Sequence, residues 1–219
     1  MGVHRICMRE QVRNAIIARI LDGTYAPGTR LKEMIVAHEL NVSQAPVREA
    51  LRELAALGLV ETEHYRGTRV RGIDLKELRE AYELRAEIED AAARRAPPCT
   101  EEDLAGLEAD LAAMQTTVRL QQQDSYVGHV VDFHRRVVQM SGNALFLHAW
   151  ERMAWDIRAR IAAQRLGLIG IYDEEHAAII AALRAGDGER AGIVLRGIVE
   201  GILARLTDVD AVEAGRTTA

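Results

Sequence analysis

Cysteine, proline and aromatic residues are scarce in the 219 residues: two Cys, four Pro, and two Trp, five Tyr and two Phe. Cys7 and Cys99 lie 92 positions apart with no paired spacing, which excludes both a disulfide framework and a thiolate metal cluster. Both are expected to serve as packing residues. No apolar run nears the roughly 18 residues of a membrane helix, and Met1 to Arg9 lacks the continuous apolar stretch of a secretory signal. The expected location is therefore the cytoplasm, without membrane association. At 48% hydrophobic and 28% charged residues the chain is globular rather than disordered. Its length suits one or two domains of about 150 residues each.

Net charge is also small, −5 from 28 Lys and Arg against 33 Asp and Glu. It is unevenly spread. Residues 1–72 carry 11 basic and 8 acidic residues, a balance of +3, and residues 73–219 carry 17 and 25, a balance of −8. A small basic domain beside an acidic one suits a nucleic-acid partner for the first half only.

Apolar spacing predicts a helix over Met8–Asp22, with Val12, Ile16 and Ile20 four apart and Gly23 ending it. A second, Lys32–Leu40, buries Ile35, Val36 and Leu40 and closes at Asn41. Ser43 is the N-cap of a third, in which Pro46 is tolerated in the first turn, Val47, Ala50, Leu51, Leu54 and Leu57 face inward, and Gly58 is the stop. Alternation over Val60, Thr62 and His64 and over Thr68 to Arg71, with a tip at Arg66-Gly67, predicts a two-stranded wing. Beyond residue 72 only helices are expected: Asp74–Arg95 behind an Asp74/Glu77 capping box, then Glu101–Arg119, Ser125–Ser141, Ala144–Arg165, Ile171–Ala185 and Gly188–Leu206, with a loose tail from Asp208. Short breaks imply antiparallel neighbours in an all-helical bundle. The fold class is mainly α, with a winged helix-turn-helix domain over 1–72 and an all-helical domain over 73–219.

Two helices joined by a tight turn and followed by a wing place a helix N-terminus in a major groove. Ser43, Gln44, Ala45, Arg48 and Arg52 lie on the polar edge opposite the leucine stripe. Such an edge also fits any solvated helix; the order of elements within 45 residues favours double-stranded DNA. A single short recognition helix reads few base pairs, so a homodimer on a short palindrome is expected.

The stretch Val42-Ser43-Gln44-Ala45-Pro46-Val47-Arg48-Glu49-Ala50-Leu51-Arg52-Glu53-Leu54, with Gly58-Leu59-Val60 and Arg66-Gly67-Thr68-Arg69-Val70, closely resembles the GntR family of bacterial transcription regulators. Glu83-Leu84-Arg85, Phe133-His134-Arg135, Ser141-Gly142-Asn143 and Glu175-His176 resemble the effector domain of its FadR (FCD) subfamily. The resemblance implies a ligand-responsive regulator, a repressor and not an enzyme, in which Arg48 contacts DNA and the wing around His64, Arg66 and Gly67 approaches the backbone or minor groove. Where the family commonly has Arg, this chain has Gln44, which pairs with adenine rather than guanine and so implies an altered operator.

For the effector, a carboxylate or similar metabolite, the candidates are Arg85, His134, Asn143 and His176, the polar residues beside apolar stripes. Arg85 either binds an anion or pairs with a carboxylate such as Glu89. The subfamily's metal set is an Asp, a His four residues later, the His of Glu-His, and a final His. Here the first and last places hold Val130 and Ile198, leaving His134 and His176, fewer than the three or four ligands of zinc. No cofactor is expected; if zinc or nickel binds, these two histidines hold it. The rival reading is an all-helical metal-binding protein or enzyme with a winged protein-interaction module. No nucleophile motif or phosphate-cradling loop supports it.

Overall fold

The computed structural model describes residues 7–63, 67–96, 98–167 and 169–217, with side chains through Val209 except that of Glu63. The described chain forms two compact units, one ending at Ile73 and the other starting at Asp74.

The first unit holds α1 (Met8–Leu21), β1 (Arg30–Leu31), α2 (Glu33–Glu39), α3 (Gln44–Ala56), β2 (Val60–Glu63) and β3 (Gly67–Val70). Val12, Ile16 and Ile17 of α1, Val36 and Ala37 of α2, and Val47, Ala50, Leu51 and Leu54 of α3 make its core, joined by Leu31, Leu59, Val60 and Val70. The β-sheet has three strands in the order β1-β3-β2, all antiparallel, with Arg30 opposite Arg69 and Thr62 opposite Thr68. The sequence signals two of them; β1 is two residues long, too short to show alternation. Ile35, expected inward, is 44% exposed, because the helical turn that buries Val36 and Ala37 carries it to the opposite side. Cys7 is exposed, so it does not pack as expected.

Among the described residues of the second unit the regular elements are all helices: α4 (Leu75–Arg95), α5 (Glu101–Arg119), α6 (Gln123–Met140), α7 (Ala144–Glu151), α8 (Trp155–Leu166), α9 (Asp173–Arg184) and α10 (Gly188–Thr217). The Asp74 carboxylate accepts the Glu77 N–H and caps α4, and Thr100 with Asp103 forms a full capping box on α5. The helix expected over Ala144–Arg165 is two helices. Ala154 takes a left-handed conformation, φ 51° and ψ 54°, and ends the run of hydrogen bonds. The tail expected to be loose from Asp208 continues α10. Helices α4 and α10 pack closely: a Cβ built on Gly188 would lie 2.5 Å from the Ala93 carbonyl oxygen, so only glycine permits this approach.

Candidate functional site

Two places combine exposed or buried polar side chains with a defined geometry. The first is the amino-terminal edge of α3. Asn41, φ 52°, turns the chain out of α2, and Ser43 is the N-cap of α3, although its side chain makes no capping hydrogen bond. Ser43, Gln44, Ala45, Arg48 and Arg52 are all exposed, while Val47, Ala50, Leu51 and Leu54 anchor the opposite side. The Arg48 guanidinium donates from Nε to both oxygens of Glu33, 3.0 and 2.9 Å away, and from Nη2 to Oε2 at 2.7 Å. Sequence reading did not single out Glu33; a carboxylate 15 positions away carries no local signal. Gly67 opens β3 with φ 80°, and a side chain there would press on the Arg30 guanidinium. His64 and Arg66, the other wing residues expected at DNA, lie outside the described residues.

The second place is a small cavity of about 50 Å3 that opens to solvent from inside the helical unit, lined by Arg85, His134 and His176 among apolar neighbours such as Val127, Val130 and Ile198. Its polar side is built on Glu89, which is fully buried on α4. One oxygen accepts from Arg85 Nε at 2.7 Å and from Trp150 Nε1 at 2.8 Å, and the other faces His134 Nδ1 at 2.7 Å. Burial alone pushes the carboxyl up, but the Arg85 guanidinium and the His134 and Trp150 hydrogen bonds outweigh it and hold it at about 2. Glu89 is thus an ionised acceptor. Trp155 covers the Arg85 guanidinium, 4.7 Å from ring centroid to Cζ, and Tyr82 meets Trp155 edge to face at 5.3 Å.

His134 and His176 meet across this cavity, Nε2 to Nε2, at 3.3 Å. The His176 Nδ1 lies 2.6 Å from the Tyr172 carbonyl oxygen. Burial, reinforced by His134 and Arg85, pushes His176 down to about 3, and burial also lowers His134 against the pull of Glu89. Burial thus favours the neutral form of both rings. Among the described residues, Arg85 Nη2 is buried without a hydrogen-bond partner.

Of the effector candidates, the structure brings Arg85, His134 and His176 together, and it realises the Arg85–Glu89 pair. Asn143 does different work: its side chain accepts from the Leu145 and Phe146 N–H groups and caps α7. A Gly-Asn pair before a helix reads equally well as a cap.

The residues at the cavity do not fit a resident divalent ion. Val130 and Ile198 bring apolar walls where the implied Asp and third His would stand, both Glu89 oxygens are already engaged, and a guanidinium shares the space. Among the described residues no three His, Cys, Asp or Glu side chains group as metal ligands. Two neutral nitrogens beside a cation are a poor set for a dication.

Both places lie in stretches that match known families. Residues 8–70 match the model of the bacterial regulatory proteins of the gntR family, and residues 80–201 match the FCD domain. A probable D-xylose utilization operon transcriptional repressor of Paenarthrobacter nicotinovorans is 36% identical over 189 residues, 85% of this chain and 83% of that protein. The HTH-type transcriptional repressor RspR of Escherichia coli K12 is 32% identical over 145 residues, 66% of this chain and 62% of its own length. Among solved structures, a GntR transcriptional regulator of Rhodococcus sp. RHA1 superposes with a TM-score of 0.73 at 26% identity, covering 91% of this chain and 97% of that one. McbR/YncC of E. coli shares the fold, with a TM-score of 0.75 over 93% and 98% of the two chains at 23% identity. The two family models together span most of the sequence, so the chain belongs to the GntR family of bacterial regulatory proteins, in the group that carries an FCD domain, and is a transcriptional regulator rather than an enzyme.

Proposed function

We propose that the chain is a ligand-responsive repressor that binds a short palindromic operator as a homodimer in the cytoplasm and answers to a small organic acid. The observation that carries the DNA half is the exposed edge of α3, where Gln44 and Arg48 stand free of the leucine core that fixes the helix. Arg48, with Ser43, Gln44, Ala45 and Arg52 around it, reads bases in the major groove, and the wing around Gly67 tracks the backbone. Two copies related by a two-fold axis read the two half-sites, because one recognition helix alone specifies too few base pairs to find a site in a genome.

The effector half rests on the buried Arg85 guanidinium, whose Nη2 has no partner among the described residues and which lines an apolar-walled cavity. An acid bound there changes operator affinity by favouring one of two states of the regulator. The test is fluorescence anisotropy with the palindromic DNA nearest the protein's own gene. Binding should weaken steeply with salt, since phosphate contacts release counterions, and should fall when the effector acid is added. Binding indifferent to salt and to sequence refutes the reading.

A further inference from the structure

Arg30 is exposed on β1 and, among the described residues, makes no hydrogen bond or ion pair. In the sheet it stands opposite Arg69, which in turn stands opposite Glu61, so one face carries a row of two cations and one carboxylate. Like charges directly opposite each other destabilise an antiparallel pair. Arg69 is occupied, donating from Nη1 to the Gly28 carbonyl oxygen at 3.2 Å. The uncompensated charge of the row therefore falls to Arg30.

Its side chain is nevertheless seated. It reaches diagonally along β3 to Gly67, where a β-carbon would come within 3.3 Å of Arg30 Nε and 3.4 Å of Nη2. Gly67 thus has two reasons to be glycine: its φ of 80° and the guanidinium that lies against it. The chain then ties this seat to the reading helix, because Glu33, three residues after Arg30, holds Arg48 of α3. Three residues span at most about 11 Å. A cation seated on the wing, on a short strap to the base-reading arginine, is complementary to an anion held close to the base itself. In duplex DNA that anion is a backbone phosphate. We propose that Arg30 is the phosphate contact of the wing: its guanidinium, laid on Gly67, donates to one phosphodiester per half-site and reads no base. A side chain that reads a base edge has to enter a groove, whereas Arg30 lies along the sheet. The phosphate also relieves the row, since Arg30 and Arg69 then face an anion rather than only each other.

This proposal rests on the edge of α3 being a DNA reader, and the two can fail separately. The full chain is titrated by fluorescence anisotropy against two duplexes, the palindrome nearest its own gene and a scrambled duplex of the same length, over a series of potassium chloride concentrations. Each phosphate contact contributes about 0.9 to the slope of log affinity against log salt. Arg30→Gln should reduce that slope by about one per bound chain and weaken both duplexes by the same factor, while Arg30→Lys should keep the slope. Without DNA, Arg30→Gln should melt no lower than the unaltered chain, because it removes a like-charge pair and no support. Gly67→Ala should lose the same slope, and no more when combined with Arg30→Gln. If Gly67→Ala fails to fold, the Arg30 variants alone decide. An unchanged slope in Arg30→Gln, with the unaltered chain binding the palindrome, overturns the proposal and leaves the reading edge of α3 standing. Absence of salt-dependent binding by the unaltered chain overturns both. A loss confined to the palindrome would make Arg30 a base or shape reader, and thermal stabilisation by inorganic phosphate that disappears in Arg30→Gln would make the row a free-anion site; either result overturns the phosphodiester contact.

Discussion

Glu33 grips Arg48 by its side-on edge, taking Nε and Nη2 at 2.7–3.0 Å from the first residue of α2. A guanidinium has five N–H groups, so the Nη1 hydrogens and one on Nη2 remain for other acceptors, and that end-on pair matches guanine O6 and N7. The ion pair is exposed and contributes little to stability. Under the proposed function, what it supplies is orientation of Arg48 before DNA arrives.

Arg48→Ala should therefore weaken operator binding roughly 5- to 150-fold per half-site. Glu33→Gln should cost less, and its main effect should be a loss of preference at the base Arg48 reads. Anisotropy with the operator and its single-base variants separates these outcomes; an Arg48→Ala protein with unaltered affinity counts against the assignment.

Gln44→Arg should move the preference at one half-site position from adenine towards guanine, because the two side chains suit different base edges. Binding selection from randomised DNA reads this as a change at that position in each half-site. An unchanged sequence logo removes Gln44 from the base-reading set.

Glu89→Ala leaves a buried guanidinium, an imidazole and an indole N–H without their shared acceptor. Breaking one member out of such a cluster costs about 3–5 kcal/mol. At about 2–4 °C per kcal/mol for a domain of this size, the helical unit should melt about 6–20 °C lower in a thermal scan. A shift within a degree or two would mean that the cluster is not closed as described.

Acid should undo the same cluster in two stages. His176 sits at about 3 in the folded chain, below its ordinary 6.5, so its contribution is complete above pH 6.5 and is lost as pH falls towards 3. Glu89, lowered from 4.5 to about 2, adds stability that is complete above pH 4.5 and is lost on approach to pH 2. The urea midpoint should drop on going from pH 7 to pH 5, and His176→Gln should flatten that first stage. A midpoint rising in this window contradicts the buried neutral histidine.

Gly188→Ala should destabilise, although alanine is the better helix former, because its Cβ would press on the Ala93 carbonyl oxygen and on Arg94 Cα of α4. Overpacking of this kind costs about 1–3 kcal/mol, measurable as a lower urea midpoint.

Most helices were legible because apolar residues recur at helical spacing and polar caps or glycines mark their ends, as at Asp74, Asn41 and Gly58. The break at Ala154 was not, since alanine is a strong helix former and the apolar stripe through Trp150 and Ile157 runs on across it. Nor was β1, whose two residues become a strand only by pairing with β3. The edge of α3 is local and was read directly, whereas Glu33 reaches Arg48 only through the packing of α2 on α3. At the cavity, Arg85, His134 and His176 stood out as polar residues beside apolar stripes. That a single Glu89 carboxylate joins Arg85, His134 and Trp150 follows from tertiary packing and has no pattern in the chain. Asn143 looked alike as ligand or cap, and the backbone N–H groups of α7 claim it.

The left-handed residue between α7 and α8 makes the length of that connection a precision part. Trp150 and Trp155 come from successive helices, yet one donates to Glu89 and the other stacks on Arg85. Adding a single residue at Ala154 would turn the face of α8 by about 100°, taking Ala159, Ala162 and Ala163 off the chamber and Trp155 off Arg85 together. Side chains along α8 can therefore be exchanged one at a time while the chamber keeps its outline, whereas the spacing of that short connection has no such freedom.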